Sequence, residues 1–588
     1  MFGRIALSSC LVLIVAATAR AQFDNQWVEF VKDQTRLADD WIKADADEKD
    51  YAVGDIDLDG DLDVVVVRKE PAATLGKRIN ALLMNENATL VDRTALYAVD
   101  SDVPGDLGFL TPTNDRDVQM VDLDLDGWPD LITSVTLSDG APKYISHPRV
   151  YVNKGAISGV WQGLRYEDAR FPQLFTVGGV PVAPRFCSVA AKDVTGDGYP
   201  DLYFADYDST ETGIGEPPAN DLNDRLLVND GRGFFNDESF TRMTSDMLLS
   251  AFGVQAKIAD MNGDGAADVV KDTALQAPQY VAVAYNDPGN IGYFNIFQNN
   301  FHSFAPYHID IGDLNNDARL DLVVGDDNAD RYRYNLGNDA LNRVIWGTAK
   351  KFTFLDGKDD GFPGNAYVAD LDHDGWNDVL VTDFDVDLPG CSRRTHIYHN
   401  PGGTPGAEIL LVEEVEKTGS GGWKGAKGFL VGDLKGTYDV AIFDLDDDGD
   451  LDILLGRCTG TFLWLNQLVC QADLGYGGPG DSQLSLCGKA LSSGNSAHLL
   501  LEHAPPSAPC FMIGSVNSNP TSIYGGTLVP APPFTIVSLT SNPAGKITVP
   551  GIPGGGGPFS FYLQAVIPDA TQPKGYQFSN AIRGDWLP

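Results

Sequence analysis

Positive charge is scarce in this chain of 588 residues: 42 Lys and Arg face 82 Asp and Glu, giving a formal charge of −40. That balance argues against nucleic acid and anionic membrane surfaces as partners and suits cations. Cysteine is sparse too, at seven residues, so disulfides do not replace a core. Beyond the N-terminus no apolar run is long enough to span a bilayer. The sequence has no H-E-x-x-H, no G-x-S-x-G and no phosphate loop, so it carries no metalloprotease, serine-hydrolase or nucleotide signature. Acid-pair catalysis stays open, because carboxylates are everywhere. What the chain does contain is a 43 % hydrophobic fraction, enough for cores, and 63 Gly with 34 Pro, the punctuation of an all-β chain. Its length implies two or more domains.

Residues 1–21 read as an export signal. Arg4 supplies positive charge, Ile5 to Ala17 is mostly apolar, and Ala19-Arg20-Ala21 is a small-x-small cleavage site. Cleavage is expected after Ala21, leaving a protein that is secreted or held at the cell surface, monomeric, in a compartment where disulfides form. "LSSC" (7–10) loosely resembles a lipoprotein box, but the apolar run continues past Cys10.

One nine-residue pattern recurs seven times, with Asp at positions 1, 5 and 9 in every copy and starts 53 to 74 residues apart. Repetition at this period marks an array of supersecondary units. Position by position (1, 3, 5, 7, 9), loop one offers Asp55, Asp57, Asp59, Asp61 and Asp63; loop two Asp122, Asp124, Asp126, Trp128 and Asp130. Loop three offers Asp193, Thr195, Asp197, Tyr199 and Asp201; loop four Asp260, Asn262, Asp264, Ala266 and Asp268. Loop five offers Asp313, Asn315, Asp317, Arg319 and Asp321; loop six Asp370, Asp372, Asp374, Trp376 and Asp378; loop seven Asp444, Asp446, Asp448, Asp450 and Asp452.

Calcium takes six to eight oxygens, and this spacing turns carboxylates inward at 1, 3, 5 and 9, with position 7 contributing its backbone carbonyl. An EF-hand would need an acid at position 12, where this chain has Val66, Thr133, Phe204, Lys271, Val324, Val381 and Leu455. That reading is excluded, and magnesium, which keeps its waters, suits the pattern less well. Up to seven Ca²⁺ are expected, one per unit, moving the formal charge from −40 to −26. Loop five has Ala318 in place of the turn glycine and is expected to be the weakest site.

Apolar residues alternate before each loop, as in Tyr51/Val53 and Val440/Ile442, and a second strand-like run follows it, as in "VVVV" (64–67). Each loop should therefore join two strands of a hairpin. A third run ending in Asn follows: "LLMN" (82–85), "VYVN" (150–153), "LLVN" (226–229), "GYFN" (292–295), "YRYN" (332–335), "IYHN" (397–400) and "LWLN" (463–466). A fourth often comes next, as in "ATLVDRT" (88–94). Four strands repeated seven times predict a seven-bladed β-propeller over 22–469, with an open solenoid as the other architecture. Unit seven lacks a fourth strand, and "EFVKDQT" (29–35) is expected to supply it, closing the ring.

These residues resemble the FG-GAP/VCBS repeat family, which includes the propeller head of integrin α chains. "FCSVAAKDVTGDGYPDL" (186–202) and "FGVQAKIADMNGDGAADVV" (252–270) carry the resemblance, although "ADYD" (205–208) and "GDDN" (325–328) depart from the family's Gly-Ala-Pro half. It covers about 440 residues, 25–467. The resemblance implies a calcium-binding propeller for extracellular binding or adhesion, toward a glycan or protein. Related propellers also occur in certain polysaccharide lyases, so an enzyme on the same scaffold is the second reading and a structural envelope protein the third. Binding would fall on the variable loops opposite the calcium loops, where Tyr207, Arg393 and Arg394 are candidates. In "HIYH" (396–399) the two His alternate across a strand, which disfavours a zinc pair.

Of the six Cys that remain after cleavage, Cys391 and Cys458 fall in equivalent loops of neighbouring units and are expected to pair. Cys470 is expected to pair with Cys487, while Cys187 is expected to be a buried thiol. From 470 to 588 the loops stop, and runs such as "FTIVSLT" (534–540) and "FSFYLQAVI" (559–567) predict a small β-sandwich. It resembles C-terminal modules of other secreted bacterial proteins.

Overall fold

The computed structural model describes residues 27–588 apart from 71–75, 137–140, 209–220, 276–278, 328, 354–362, 384–390, 414, 417–425 and 431. The export signal and much of the variable loops at 206–224 and 383–395 lie outside the described residues. The fold is all-β.

Each nine-residue loop joins two antiparallel strands, and each such hairpin opens a separate sheet. Sheet one runs Glu48–Gly54, Asp63–Lys69, Ala81–Asn85 and Leu90–Asp92. Sheet two runs Asp115–Val121, Asp130–Val135, Val150–Asn153 and Leu164–Tyr166, with Asp100–Ser101 added in parallel at its edge. Sheets three to six begin with Phe186–Lys192, Ala256–Ala259, Pro306–Gly312 and Pro363–Ala369. Sheet seven runs Thr437–Phe443, Asp452–Arg457, Gly460–Asn466 and then Phe30–Lys32, where Phe30 pairs with Asn466 and Lys32 with Trp464. The N-terminal strand thus completes the last sheet, as its sequence suggested.

One strand assignment is corrected. In sheet four the third strand is Tyr280–Asn286, and the segment at 292–295 leads into the fourth, Phe294–Gln298. "YVAVAYN" ends in Asn like its counterparts. The local pattern is ambiguous because a second Asn-terminated apolar run follows nine residues later.

The first strand of each sheet lies beside the first strand of the next, and the first strand of sheet seven lies beside that of sheet one. Apolar packing follows the same circuit. One cluster joins sheets one and two through Val65, Leu82, Leu131 and Tyr151. Another joins sheets seven and one through Leu454, Leu463, Val64 and Leu83. The core is therefore a set of wedges between sheet faces, with the second strands buried on both sides, which accounts for their continuous apolar runs.

Cys391–Cys458 and Cys470–Cys487 are disulfides, and Cys187 and Cys510 are buried thiols. Beyond residue 470, a five-stranded and a three-stranded sheet share one core, built around Leu486, Leu499, Met512, Leu563 and Trp586.

Candidate metal centres

Within each loop the nine residues fold around their own carboxylates. Asp55 accepts the backbone N–H of Asp59 and of Gly60, both at 3.0 Å. Asp59 accepts that of Asp61 at 3.2 Å. The position-9 Asp has a different task. Asp63, 0 % exposed, accepts the N–H of Ile56 at 3.2 Å and that of Asn85, at the end of the third strand, at 2.8 Å. The same two bonds recur at Asp130, Asp201, Asp268, Asp321, Asp378 and Asp452. Position 9 therefore locks the loop to its own sheet, which explains why Asp never varies there.

Position 3 is less uniformly engaged: Asn262 and Asp372 accept the N–H of Asp264 and Asp374 at 3.1 and 3.2 Å, and Asp124 Oδ2 accepts from Arg170 at 3.2 Å. Asp57 Oδ1, Asp124 Oδ1 and Asn315 Oδ1 are buried and have no hydrogen-bond partner among the described residues. Acceptors left in this way are costly unless something electropositive meets them. In loops one, two and six the carboxylates of positions 1, 3 and 9 bring one oxygen each to within 4.8 Å of the others. Burial, reinforced by neighbouring carboxylates, pushes Asp57 up to about 6. Burial likewise pushes Asp63 up to about 8 and Asp130 up to about 7. Carboxylates crowded out of water repel one another, and a dication relieves this. The oxygen-only donor set fits calcium.

At position 7 the aromatic side chains of loops two, three and six pack away from the centre, leaving the backbone carbonyl as the donor that position offers. Trp128, Tyr199 and Trp376 lie under the turns that follow the third strands, close against Gly155, Gly231 and Gly402. Arg319 Nε donates to the Asn335 carbonyl at 2.7 Å. Asp61 and Asp450 are exceptions: each leaves buried oxygen without a partner.

The loops depart from uniformity in two places. The turn residue of loop five, Ala318, has φ 69°, in the left-handed region that glycine fills in the other six loops. Asp317 is also ion-paired with Arg319. Loop six is covered by the C-terminal region: a Cβ added at Gly375 would collide with Thr548 and Leu500. Lys546 and Glu502 lie near enough to bear electrostatically on Asp370. By contrast, a Cβ at Gly60, Gly127, Gly198 or Gly265 would meet nothing.

The terminal Asn residues have a role that their local sequence pattern does not reveal. In each sheet this Asn donates through Nδ2 to the position-2 carbonyl of the preceding sheet's loop. Asn153 reaches Ile56 at 2.8 Å, Asn229 reaches Leu123 at 2.7 Å and Asn466 reaches Leu371 at 3.0 Å. Their recurrence at the end of the third apolar run of every unit was the available signal.

Two candidate ligand-binding residues are structural instead. Tyr207 is 5 % exposed and stacks edge-on against Phe252. Arg394 is 3 % exposed and its Nη2 donates to Glu413 at 3.0 Å. Both are held by packing that a loop reading of the sequence could not anticipate. Arg393 is half-buried. His396 and His399 do not converge. His396 lies between Asp383 and Glu413, whereas His399 faces Asp372.

No family model matches the chain. It is 23 % identical over 433 residues to a T-cell immunomodulatory protein homolog of Plasmodium falciparum (isolate 3D7), covering 72 % of this chain and 54 % of that protein. The chain thus spans about half the length of the curated relative it matches. Among solved structures it is similar to an Agrocybe aegerita lectin described as specifically recognising non-reducing terminal N-acetylglucosamine. That likeness has TM-score 0.37 and 18 % identity, over 62 % of this chain and 80 % of the lectin. It is also similar to the Dos1 propeller, with TM-score 0.37 and 9 % identity, over 74 % of this chain and 95 % of that one. A propeller and a lectin thus stand among the structural neighbours of this all-β chain.

Proposed function

We propose that the protein is a secreted, calcium-stabilised seven-bladed propeller of the FG-GAP/VCBS kind, occupying 22–469 and followed by a β-sandwich at 470–588. It acts as a binding or adhesion protein toward an extracellular glycan or protein. The observation that carries the calcium reading is the repeated nine-residue loop whose inward oxygens lack donors, at Asp57, Asp124 and Asn315. Each ion would be held by the side chains at positions 1, 3, 5 and 9 and the carbonyl at position 7. The circuit of first strands and wedge cores supports seven blades. The two sheets around a shared core support the sandwich.

Calcium here supplies charge neutralisation and rigidity. The chain's own groups do the rest: position-9 Asp ties loop to sheet, and terminal Asn ties sheet to sheet. A scaffold fixed in this way presents its connecting loops as a stable surface for a partner. Metal bound only by the folded state adds about 2.7 kcal/mol per site at a hundredfold excess over Kd. Thermal unfolding with and without EDTA tests the calcium reading, and an unchanged midpoint refutes it. A glycan array probed in calcium and in chelator, with turnover assayed on every hit, tests the binding reading. Calcium-dependent capture without product supports it, and product release makes the protein an enzyme.

A further inference from the structure

Resting on the loop-as-metal-site reading above, we propose that loop six is a mixed nitrogen–oxygen centre. It takes a zinc-class divalent ion through Asp372, Asp374 and His399, while the other loops take calcium.

His399 is the penultimate residue of the third run in its unit, just before Asn400. At that place the other six sheets carry Met84, Val152, Val228, Tyr285, Tyr334 and Leu465. A side chain of apolar or aromatic character packs there everywhere else, and only sheet six brings a nitrogen ligand to the loop. The structure brings it into range. His399 Nε2 lies 3.7 Å from Asp372 Oδ2, and one ligand atom each from Asp372, Asp374 and His399 lie within 4.8 Å of one another. Asp372 belongs equally to the Asp370–Asp372–Asp378 group, so the imidazole joins the loop's own donor set.

Two further features build the site. Trp27 stacks on the His399 ring, with centroids 4.3 Å apart and planes 10° from parallel. That packing restrains the ring, whose Nε2 faces Asp372. The loop is also closed off: Leu371 to Asp378 contains no exposed residue, and Thr548 and Leu500 of the C-terminal region press on Gly375. An enclosed site favours direct ligation over retained water. Calcium and magnesium prefer oxygen, whereas imidazole with carboxylate suits zinc, manganese or cobalt.

The test uses the full mature chain. Stripped protein is dialysed against excess Ca²⁺ with stoichiometric Zn²⁺, and bound metals are counted by elemental analysis. One zinc retained per chain beside calcium is expected, with zinc lost at least tenfold in His399→Gln and the calcium count unchanged. ¹¹³Cd NMR of the unmutated protein gives an independent reading, because one resonance shifted toward mixed nitrogen–oxygen ligation is expected among oxygen-only ones. Zinc displaced by calcium, zinc retained by His399→Gln, or oxygen-only cadmium signals would each overturn the inference. A calcium count of zero would instead overturn the loop reading itself, whatever the zinc count shows.

Discussion

Asn85 Nδ2 donates to the Leu445 carbonyl at 2.8 Å across 360 residues of sequence. It joins the first sheet to the loop of the seventh and is the same bond that Asn153 makes to Ile56. One residue type at one repeated position thus serves both as link between consecutive sheets and as clasp of the circuit.

Asn85→Ala leaves the Leu445 carbonyl buried without its donor. A loss of about 1–3 kcal/mol is expected, read by urea unfolding. If the bond were incidental, the variant would unfold with the parent.

Positions 3 and 9 of a loop should separate in their effects. Asp57→Asn is expected to weaken one calcium site while leaving stability in EDTA nearly unchanged, because Asp57 Oδ1 has no internal partner among the described residues. Asp63→Ala removes the acceptor for both Ile56 and Asn85. It should cost about 2–4 kcal/mol even in EDTA, counting roughly 1–2 for each orphaned N–H, with a further loss in calcium because position 9 is also a proposed ligand. Equal stability of the two variants in EDTA contradicts this division.

Ala318, with φ 69°, holds a conformation that glycine adopts freely. Ala318→Gly relieves that cost but adds freedom to the unfolded chain, so a net gain below about 1 kcal/mol is expected. Gly60→Ala, at φ 105° with nothing near the new Cβ, should lose about 1 kcal/mol or more. Paired chemical denaturation curves decide both signs.

His396 gives a pH signature. Burial would lower its pKa, but hydrogen bonds and charge from Asp383 and Glu413 outweigh that and raise it to about 10. A raised folded pKa means that the ion pair stabilises fully below the unfolded value near 6.5, and that this contribution is lost as pH climbs toward 10. Glu413, held at about 2 by His396 and Arg394 against burial, contributes above its unfolded value near 4.5 and loses that on acidification. The stability gap between parent and His396→Gln should therefore be widest between about pH 4.5 and 6.5. It should shrink by about 1 kcal/mol or more by pH 10. A gap that stays flat with pH would show that the histidine is neutral throughout.

The loops were legible because Asp at positions 1, 5 and 9 is written in contiguous residues, and a turn that short is fixed by its own backbone and carboxylates. Cys391 and Cys458 could be paired because equivalent loops of adjacent units are neighbours by periodicity. The third strand of sheet four was misplaced because two apolar runs ending in Asn compete locally, and only pairing with Asp268–Thr273 chooses between them. Tyr207 and Arg394 looked like loop residues on a surface, and packing against distant strands buried them.

By itself the sequence determined the repeat, the carboxylates of each loop and the strand alternation, all of which depend on residues within a few positions of one another. The tertiary structure alone decided what joins sheet to sheet, that the C-terminal region seals loop six, and that His399 meets Asp372. These contacts bring together groups tens to hundreds of residues apart, and no local pattern of hydrophobicity or charge encodes such a meeting.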